Sequence, residues 1–319
     1  MVPGSLHALV FQLIDFAGLF PPTKLDMRRA VETYARHRAS PTSFGLSRFV
    51  VTCSRLDEFS EAAVRELAVL PSAADDAPPN PWPVTVLIDG KLEENLQTIE
   101  RFNHAHESAT GHGHNHAHNA VVDTVEIKIT TPDTIDYALD HLPEELYPFF
   151  EIPIAGDVRG FATALAGRGA GAKIRTGGIT ADLIPSVEVV AEFLTAFNAA
   201  EVPVKATAGL HHPVRSEHAL TYDENAPRAV MHGFMNFFLA ATMLHAKKLK
   251  PQQLIELLRE TSPDAFRFAD EMAVWRDKVI TTDEIREARE DFAICFGSCS
   301  YDEPLSDLKS LKLLAPAHA

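Results

Sequence analysis

Lys173-Ile-Arg-Thr-Gly-Gly178 and Lys205-Ala-Thr-Ala-Gly-Leu-His-His-Pro213 each carry a lysine through a strand-like run into a glycine turn. Lysine is almost never buried without a partner or a task. The residues around each one, Gly171-Ala-Lys-Ile-Arg175 and Val202-Pro-Val-Lys-Ala-Thr207, read as short buried strands. A helical pattern over residues 181–198 separates them. That makes a strand–helix–strand unit, with the lysines at equivalent places in adjacent parallel strands. Side chains alternate along a strand, so Lys173 shares a face with Arg175, and Lys205 with Thr207. If that face lines a barrel, two ammonium groups share a confined space, and each pushes the other below the ~10.4 of a free lysine. A neutral amine is the form that attacks a carbonyl.

Outward from this unit, strand-like and helical runs alternate along the chain. Strands are expected at residues 8–14, 48–52, 83–88, 124–130, 147–152, 172–175, 202–207 and 292–296, with helices at 24–37, 56–70, 92–104, 134–141, 157–166 and 181–198. Eight strands separated by helices predict an α/β fold, a (β/α)8 TIM barrel in a single domain over residues 1–319. The rival, an open doubly wound sheet, lacks its glycine-rich fingerprint after the first strand. Two stretches break the spacing. Residues 71–83, with five prolines, read as a surface loop, and residues 214–291 read as a long helical insertion between strands seven and eight. The insertion includes the apolar run 229–244 and the mixed-charge run 281–291, and it is expected to cap the barrel mouth or to form a subunit contact in a homo-oligomer.

The composition sets the class of partner. The 319 residues are 46% hydrophobic and 23% charged, ordinary for a globular chain, and the net charge of −15 argues against nucleic acid and anionic membrane. The apolar run 229–244 is interrupted by His232, Asn236 and Thr242 and falls short of the ~20 residues that span a bilayer, so a buried helix is expected. Residues 1–14 lack a positive n-region and a cleavage site and read as the first strand. Cys53, Cys295 and Cys299 make no disulfide framework and fit a reducing cytoplasm.

Catalytic groups of such a barrel gather at the C-terminal ends of its strands. The ionisable residues there are Asp15, Glu126, Lys128, Glu151, Lys173, Arg175 and Lys205. So many inward charges are costly to bury unless they pair or serve a substrate.

These residues resemble a family, the class I aldolases and specifically the deoxyribose-phosphate aldolases. Leu13-Ile-Asp-Phe-Ala-Gly-Leu-Phe-Pro-Pro22 is similar to that family's opening Ile-Asp-His-Thr-x-Leu-x-Pro segment. Thr124-Val-Glu-Ile127 resembles its Glu-x-Asp-x-Val strand, and Phe149-Phe-Glu-Ile152 its Ile-x-Glu-Thr strand. Lys173-Ile-Arg-Thr-Gly177 resembles the strand of the Schiff-base lysine, and Lys205-Ala-Thr-Ala-Gly209 that of a second lysine which tunes the first. Phe296-Gly-Ser-Cys-Ser300 resembles its phosphate-binding turn. The chain departs from the pattern at Phe16 (a histidine there), Glu126 (an aspartate), Leu210 and His211 (glycine and arginine) and Cys295 (arginine).

The resemblance implies that Lys173 forms an imine, Lys205 tunes it, and Glu126 with a water moves the proton at the neighbouring carbon, with Asp15 as the fourth catalytic residue. The expected substrate is a small aldehyde or ketone with an anionic group, and no cofactor or metal ion is needed. Backbone N–H groups of Gly177, Gly178, Gly209 and Gly297 to Ser300, Ser298 included, are expected to hold the anion, with Arg175, Lys128, Glu151, Thr176, Thr207, His211 and His212 completing the substrate site.

His211-His212 supports a rival reading, a metal-dependent barrel lyase or hydrolase in which these histidines join Asp15, Glu126 or Glu151 around a metal. A non-catalytic ligand-binding relative is the third reading. The tract with His104, His106, His112, His114, His116 and His118 is expected to be a surface loop over residues 104–119 before strand four, able to bind immobilised metal without a role in function.

Overall fold

The computed structural model describes residues 2–67, 81–107 and 120–314. Seven parallel strands come first: β1 (Ile14–Phe16), β2 (Leu46–Thr52), β3 (Trp82–Leu87), β4 (Ala120–Lys128), β5 (Tyr147–Glu151), β6 (Gly171–Arg175) and β7 (Val204–Thr207). After an insertion containing β8 to β12, β13 (Ala293–Ser298) pairs with both β7 and β1 and closes an eight-stranded barrel. The fold is the (β/α)8 barrel that the alternation predicts.

Around it lie α2 (Met27–Arg38), α3 (Leu56–Leu67), α4 (Leu92–Glu107), α5 (Asp133–His141), α6 (Arg159–Leu165) and α7 (Val187–Ala199), which follow the first six strands in turn. Local chemistry fixes several starts. The Asp26 carboxylate accepts from the Arg29 amide at the head of α2, and the Ser186 hydroxyl accepts from Val189 at the head of α7. The helix expected from residue 181 starts later because Pro185 disfavours helical geometry before it, and Ala181–Leu183 forms only a 3-10 turn.

The first expected strand is corrected. Residues 4–10 form a helix, α1 (Gly4–Val10), and the strand shrinks to Ile14–Phe16. Leu6, Leu9, Val10 and Leu13 are buried at helical spacing, and α1 packs across the N-terminal end of the barrel against the later helix α10. The expected loop at 71–83 lies mostly outside the described residues, which resume at 81 just before β3.

The insertion is also corrected, from helical to mixed. It opens with an antiparallel hairpin, β8 (Ser216–Ala219) and β9 (Arg228–Met231). Then come α8 (Phe234–His245) and α9 (Pro251–Arg259), followed by a three-stranded antiparallel sheet, β10 (Phe266–Phe268), β11 (Met272–Trp275) and β12 (Lys278–Thr281), and by α10 (Thr282–Asp291). After β13 comes α11 (Asp302–Ser310).

α8 is the apolar run read as a buried helix, and it takes the seventh helical place around the barrel. Phe234 and Phe238 each set their rings 5.7 Å from that of Phe296 on β13, while α7, α9 and α10 cover its remaining faces. Its apolar surface is spent inside the chain, so the reason for expecting a subunit contact there falls away. The described residues contain no helix long and apolar enough to cross a membrane.

Candidate active site

The two lysines are cross-strand neighbours, Lys173 of β6 opposite Lys205 of β7, and Glu151 of β5 lies opposite Lys173 on its other side. All three point into the barrel, where Glu126 of β4 and Asp15 of β1 meet them. Lys205 Nζ lies 2.6 Å from Asp15 Oδ2 and 2.6 Å from Glu126 Oε1. Lys173 Nζ lies 2.6 Å from Glu126 Oε2 and 2.6 Å from Glu151 Oε2, and Arg175 Nε is 3.5 Å from Glu151 Oε1. Six charges of alternating sign therefore run from the barrel floor to its mouth, Asp15, Lys205, Glu126, Lys173, Glu151 and Arg175. The series rises steadily toward solvent. Asp15 and Lys205 side chains are 0% exposed, Lys173 and Glu126 4% and 5%, Glu151 15% and Arg175 41%.

This interleaving changes the electrostatics expected from sequence. Two lysines alone would each suppress the other's charge, but here every ammonium touches two carboxylates. Burial by itself would lower the Lys205 ammonium, yet Asp15 and Glu126 outweigh it and hold its pKa above the ordinary value. Burial would raise the Glu126 carboxyl, but the ammonium groups of Lys173 and Lys205 bring it down to about 2. Glu151 is lowered in the same way, burial being overcome by Lys173 and Arg175. Below, the Asp15 carboxylate also accepts from the Arg48 amide at 3.1 Å and from the Cys295 thiol at 3.3 Å, and the Phe149 ring lies 5.2 Å from the Lys205 ammonium. Burial and the neighbouring Asp15 push the Cys295 thiol up to about 12, so it stays a neutral donor.

Above the series opens a cavity of about 240 Å³. Lys173, Glu126, Glu151 and Arg175 line it; Lys205 and Asp15 lie beneath its floor. Apolar parts of its wall come from Phe20, Pro21 and Pro22 after β1 and from Met231 and Leu220 at the two ends of the β8–β9 hairpin. The insertion thus caps the mouth, though with a hairpin in place of the expected helices.

Several expected substrate contacts have other employment. Lys128 is exposed at the end of β4 and is not in the cavity wall. The Thr176 hydroxyl donates to the Ala208 carbonyl at 2.5 Å, tying the β6 turn to that of β7. Gly177 and Gly209 permit the same approach: a Cβ on Gly177 would meet the Gly209 Cα at 2.8 Å, and Gly209 has φ +79°. The Ser298 hydroxyl donates to the Ser300 carbonyl and receives the Ser300 amide, while the Ser300 hydroxyl accepts the Glu303 amide at the head of α11. The expected anion cradle is correspondingly reduced. Gly178, Gly209, Gly297 and Thr207 reach the cavity wall, and Arg175 is the guanidinium there.

The histidine pair is turned away from the carboxylates of the rival metal site. His211 Nδ1 lies 3.0 Å from Glu303 Oε2 and its Nε2 4.0 Å from Cys299 Sγ, so its two nitrogens face different partners. His212 Nδ1 is 2.6 Å from Asp307, with its ring stacked 3.3 Å from that of His218, outside the main cavity. Among the described residues no group of three histidine, cysteine or acidic side chains is placed to hold a metal ion. His104 and His106 belong to the last turn of α4, not to a loop, and His106 Nε2 sits 3.1 Å from the Ser60 hydroxyl. His112, His114, His116 and His118 lie outside the described residues.

Sequence reading missed Cys299 and Glu303. The available signal was topological: His211 follows β7 and Cys299 follows β13, strands that pair in the barrel with Thr207 opposite Gly297. Comparison with protein-family models and with curated proteins gives no match.

Proposed function

We propose that this chain is a Schiff-base lyase of the class I aldolase kind, in which Lys173 forms an imine with a small aldehyde or ketone carrying an anionic group. The observation that carries the reading is the division of the two lysines by depth. Lys173 faces the cavity between two carboxylates, and Lys205 is sealed beneath it.

Lys173 passes one ammonium proton to Glu126 or Glu151 and adds to the carbonyl carbon. The protonated carboxyl gives that proton to the oxygen of the adduct, the carboxylate so formed relays a second proton from the nitrogen to the same oxygen, and the oxygen leaves as water to yield an iminium. A neighbouring carboxylate takes the proton of the hydroxyl on the departing carbon, that oxygen becomes the carbonyl of the first product, and the iminium accepts the electron pair of the carbon–carbon bond that breaks, giving an enamine. The same carboxyl then protonates the enamine carbon, and water hydrolyses the resulting iminium to release the second product and free Lys173. Lys205 acts from below by keeping Glu126 ionised between catalytic steps. Arg175, half-exposed at the mouth, offers its remaining N–H groups to a carboxylate or phosphate. The cavity volume favours a substrate of a few carbons over a large one.

The test is intact-mass analysis after incubation with a panel of small aldehydes and keto acids plus borohydride. A reduced adduct that maps to Lys173, is absent in Lys173→Ala and forms slowly in Lys205→Ala is expected. An adduct that persists in Lys173→Ala, or no specific adduct with any compound of the panel, overturns the assignment.

A further inference from the structure

A second reactive pair faces the same cavity and has no part in the imine. Cys299, one residue past β13, and His211, four past β7, both line the cavity wall, with exposures of 5% and 9%. The contact of the Cys299 sulfur with His211 Nε2, at 4.0 Å, is at the outer limit of a sulfur hydrogen bond. On the other side of the ring, Glu303 Oε2 is 3.0 Å from Nδ1. Glu303 itself is fixed in the first turn of α11, where its amide donates to the Ser300 hydroxyl. Nucleophile, imidazole and orienting carboxylate follow in one line.

We propose that Cys299, His211 and Glu303 form a second nucleophilic centre in the cavity, one that takes up an aldehyde reversibly as a hemithioacetal. The Cys299 thiolate adds to the aldehyde carbon, the carbon–oxygen π bond breaks, and the oxygen takes the Nε2 proton of His211. Reversal returns that proton to His211 and the electron pair to sulfur. Neither an oxidant nor a second reactant is consumed, and Lys173 is not required. Glu303 is a positioning residue: it orients the ring and favours its charged form.

The electrostatics agree with this geometry. Burial would discharge the His211 imidazole, but the contacts with Cys299 and Glu303 outweigh it and raise it to about 10. Burial would raise the Cys299 thiol, and the facing imidazole instead lowers it below the ordinary value. The Glu303 carboxyl is lowered because His211 offsets its burial, with Tyr222 donating to it from the loop between β8 and β9 and His212 lying near. Beyond these, Asp307 of α11 is taken up by His212, and His218 of β8 is stacked on that ring. The remaining thiols are internal controls. Burial raises Cys53 to about 11, and Cys295 is raised to about 12.

Iodoacetamide alkylation of the full chain, mapped by peptide and followed from pH 5 to 10, tests the thiolate without any variant. Selective modification of Cys299 is expected, with a midpoint below the ~8.5 of a free thiol. At pH 6 its rate should fall about tenfold in His211→Asn, and the midpoint should rise in Glu303→Gln. Acetaldehyde should slow the alkylation of Cys299 competitively, in wild type and in Lys173→Met alike. A midpoint at the free-thiol value, or no preference for Cys299 over Cys53 and Cys295, overturns the proposal. So does protection that disappears in Lys173→Met, because the imine would then account for all of it. A failed imine assay combined with retained protection would count against Lys173 alone.

Discussion

Glu126 does what neither lysine could do unaided. Its two oxygens bind two ammonium groups at 2.6 Å each, so one carboxylate keeps both cations tolerable inside the barrel. Replacing it with glutamine keeps the shape and removes the charge. Lys205 would keep only Asp15, and Lys173 only Glu151. Removing one partner of a buried ion pair costs about 3–5 kcal/mol, so Glu126→Gln should lower the urea midpoint by that equivalent. A loss below about 1 kcal/mol would mean that the two ammonium groups shed protons instead. The acids and bases could be picked out because they fall at the C-terminal ends of the expected strands, which is why Asp15, Glu126, Glu151, Lys173 and Lys205 were all named from sequence. Their interleaving could not be read, because it depends on the stagger between strands. Sequence also kept Cys299 apart from His211, since 88 positions of chain separate them and only barrel closure brings them together.

At the scale of elements, the turns after β6 and β7 meet backbone against backbone beside the site. The Cα atoms of Gly177 and Gly209 approach so closely that neither turn has room for a side chain. Gly177→Ala would put a methyl group 2.8 Å from a backbone atom, a position that nothing flexible can vacate. The turns must part, taking Thr176 from the Ala208 carbonyl and displacing Lys173 and Lys205 at their roots. A loss of about 2 kcal/mol is expected, with a lower melting temperature and slower borohydride trapping at Lys173. Unchanged stability would show that the turns are looser than drawn. The glycines themselves were conspicuous in sequence, but as ligands for an anion; the close packing that uses them follows from the pairing of β6 with β7. Other elements were hidden by weak local signals. The β11–β12 hairpin turns through Arg276-Asp277, with Arg276 at φ 52°, and lacks the Asn-Gly or Asp-Gly pair that usually marks such a turn. In α1, the helical spacing of Leu6, Leu9 and Val10 was overridden by the continuous apolar run in which it sits.

Taken across the whole molecule, the barrel interior is a neutral column of alternating charges, and its contribution to stability has a defined pH window. Glu126 has an ordinary pKa of 4.5 and is held at about 2 in the folded state, and Glu151 is lowered as well. A carboxyl with a depressed folded pKa gives stability that is fully present above its unfolded value and is lost as the pH falls toward its folded value. Lys205, raised above 10.5, gives stability that is present below that value and is lost only at higher pH. Between these limits the column should hold a plateau, and the acid side is the accessible test. Urea midpoints measured from pH 7 to pH 2 should stay level, as far as these groups decide it, to about pH 5 and then fall. Glu126 alone should account for a loss on the order of 3 kcal/mol. Glu126→Gln, already less stable at neutral pH, should show a correspondingly shallower acid limb, so that the two curves converge toward pH 2. Curves that run parallel over the whole range would show that Glu126 titrates in the folded barrel as it does in the unfolded chain, and the column would then not be the electrostatic unit that its distances describe.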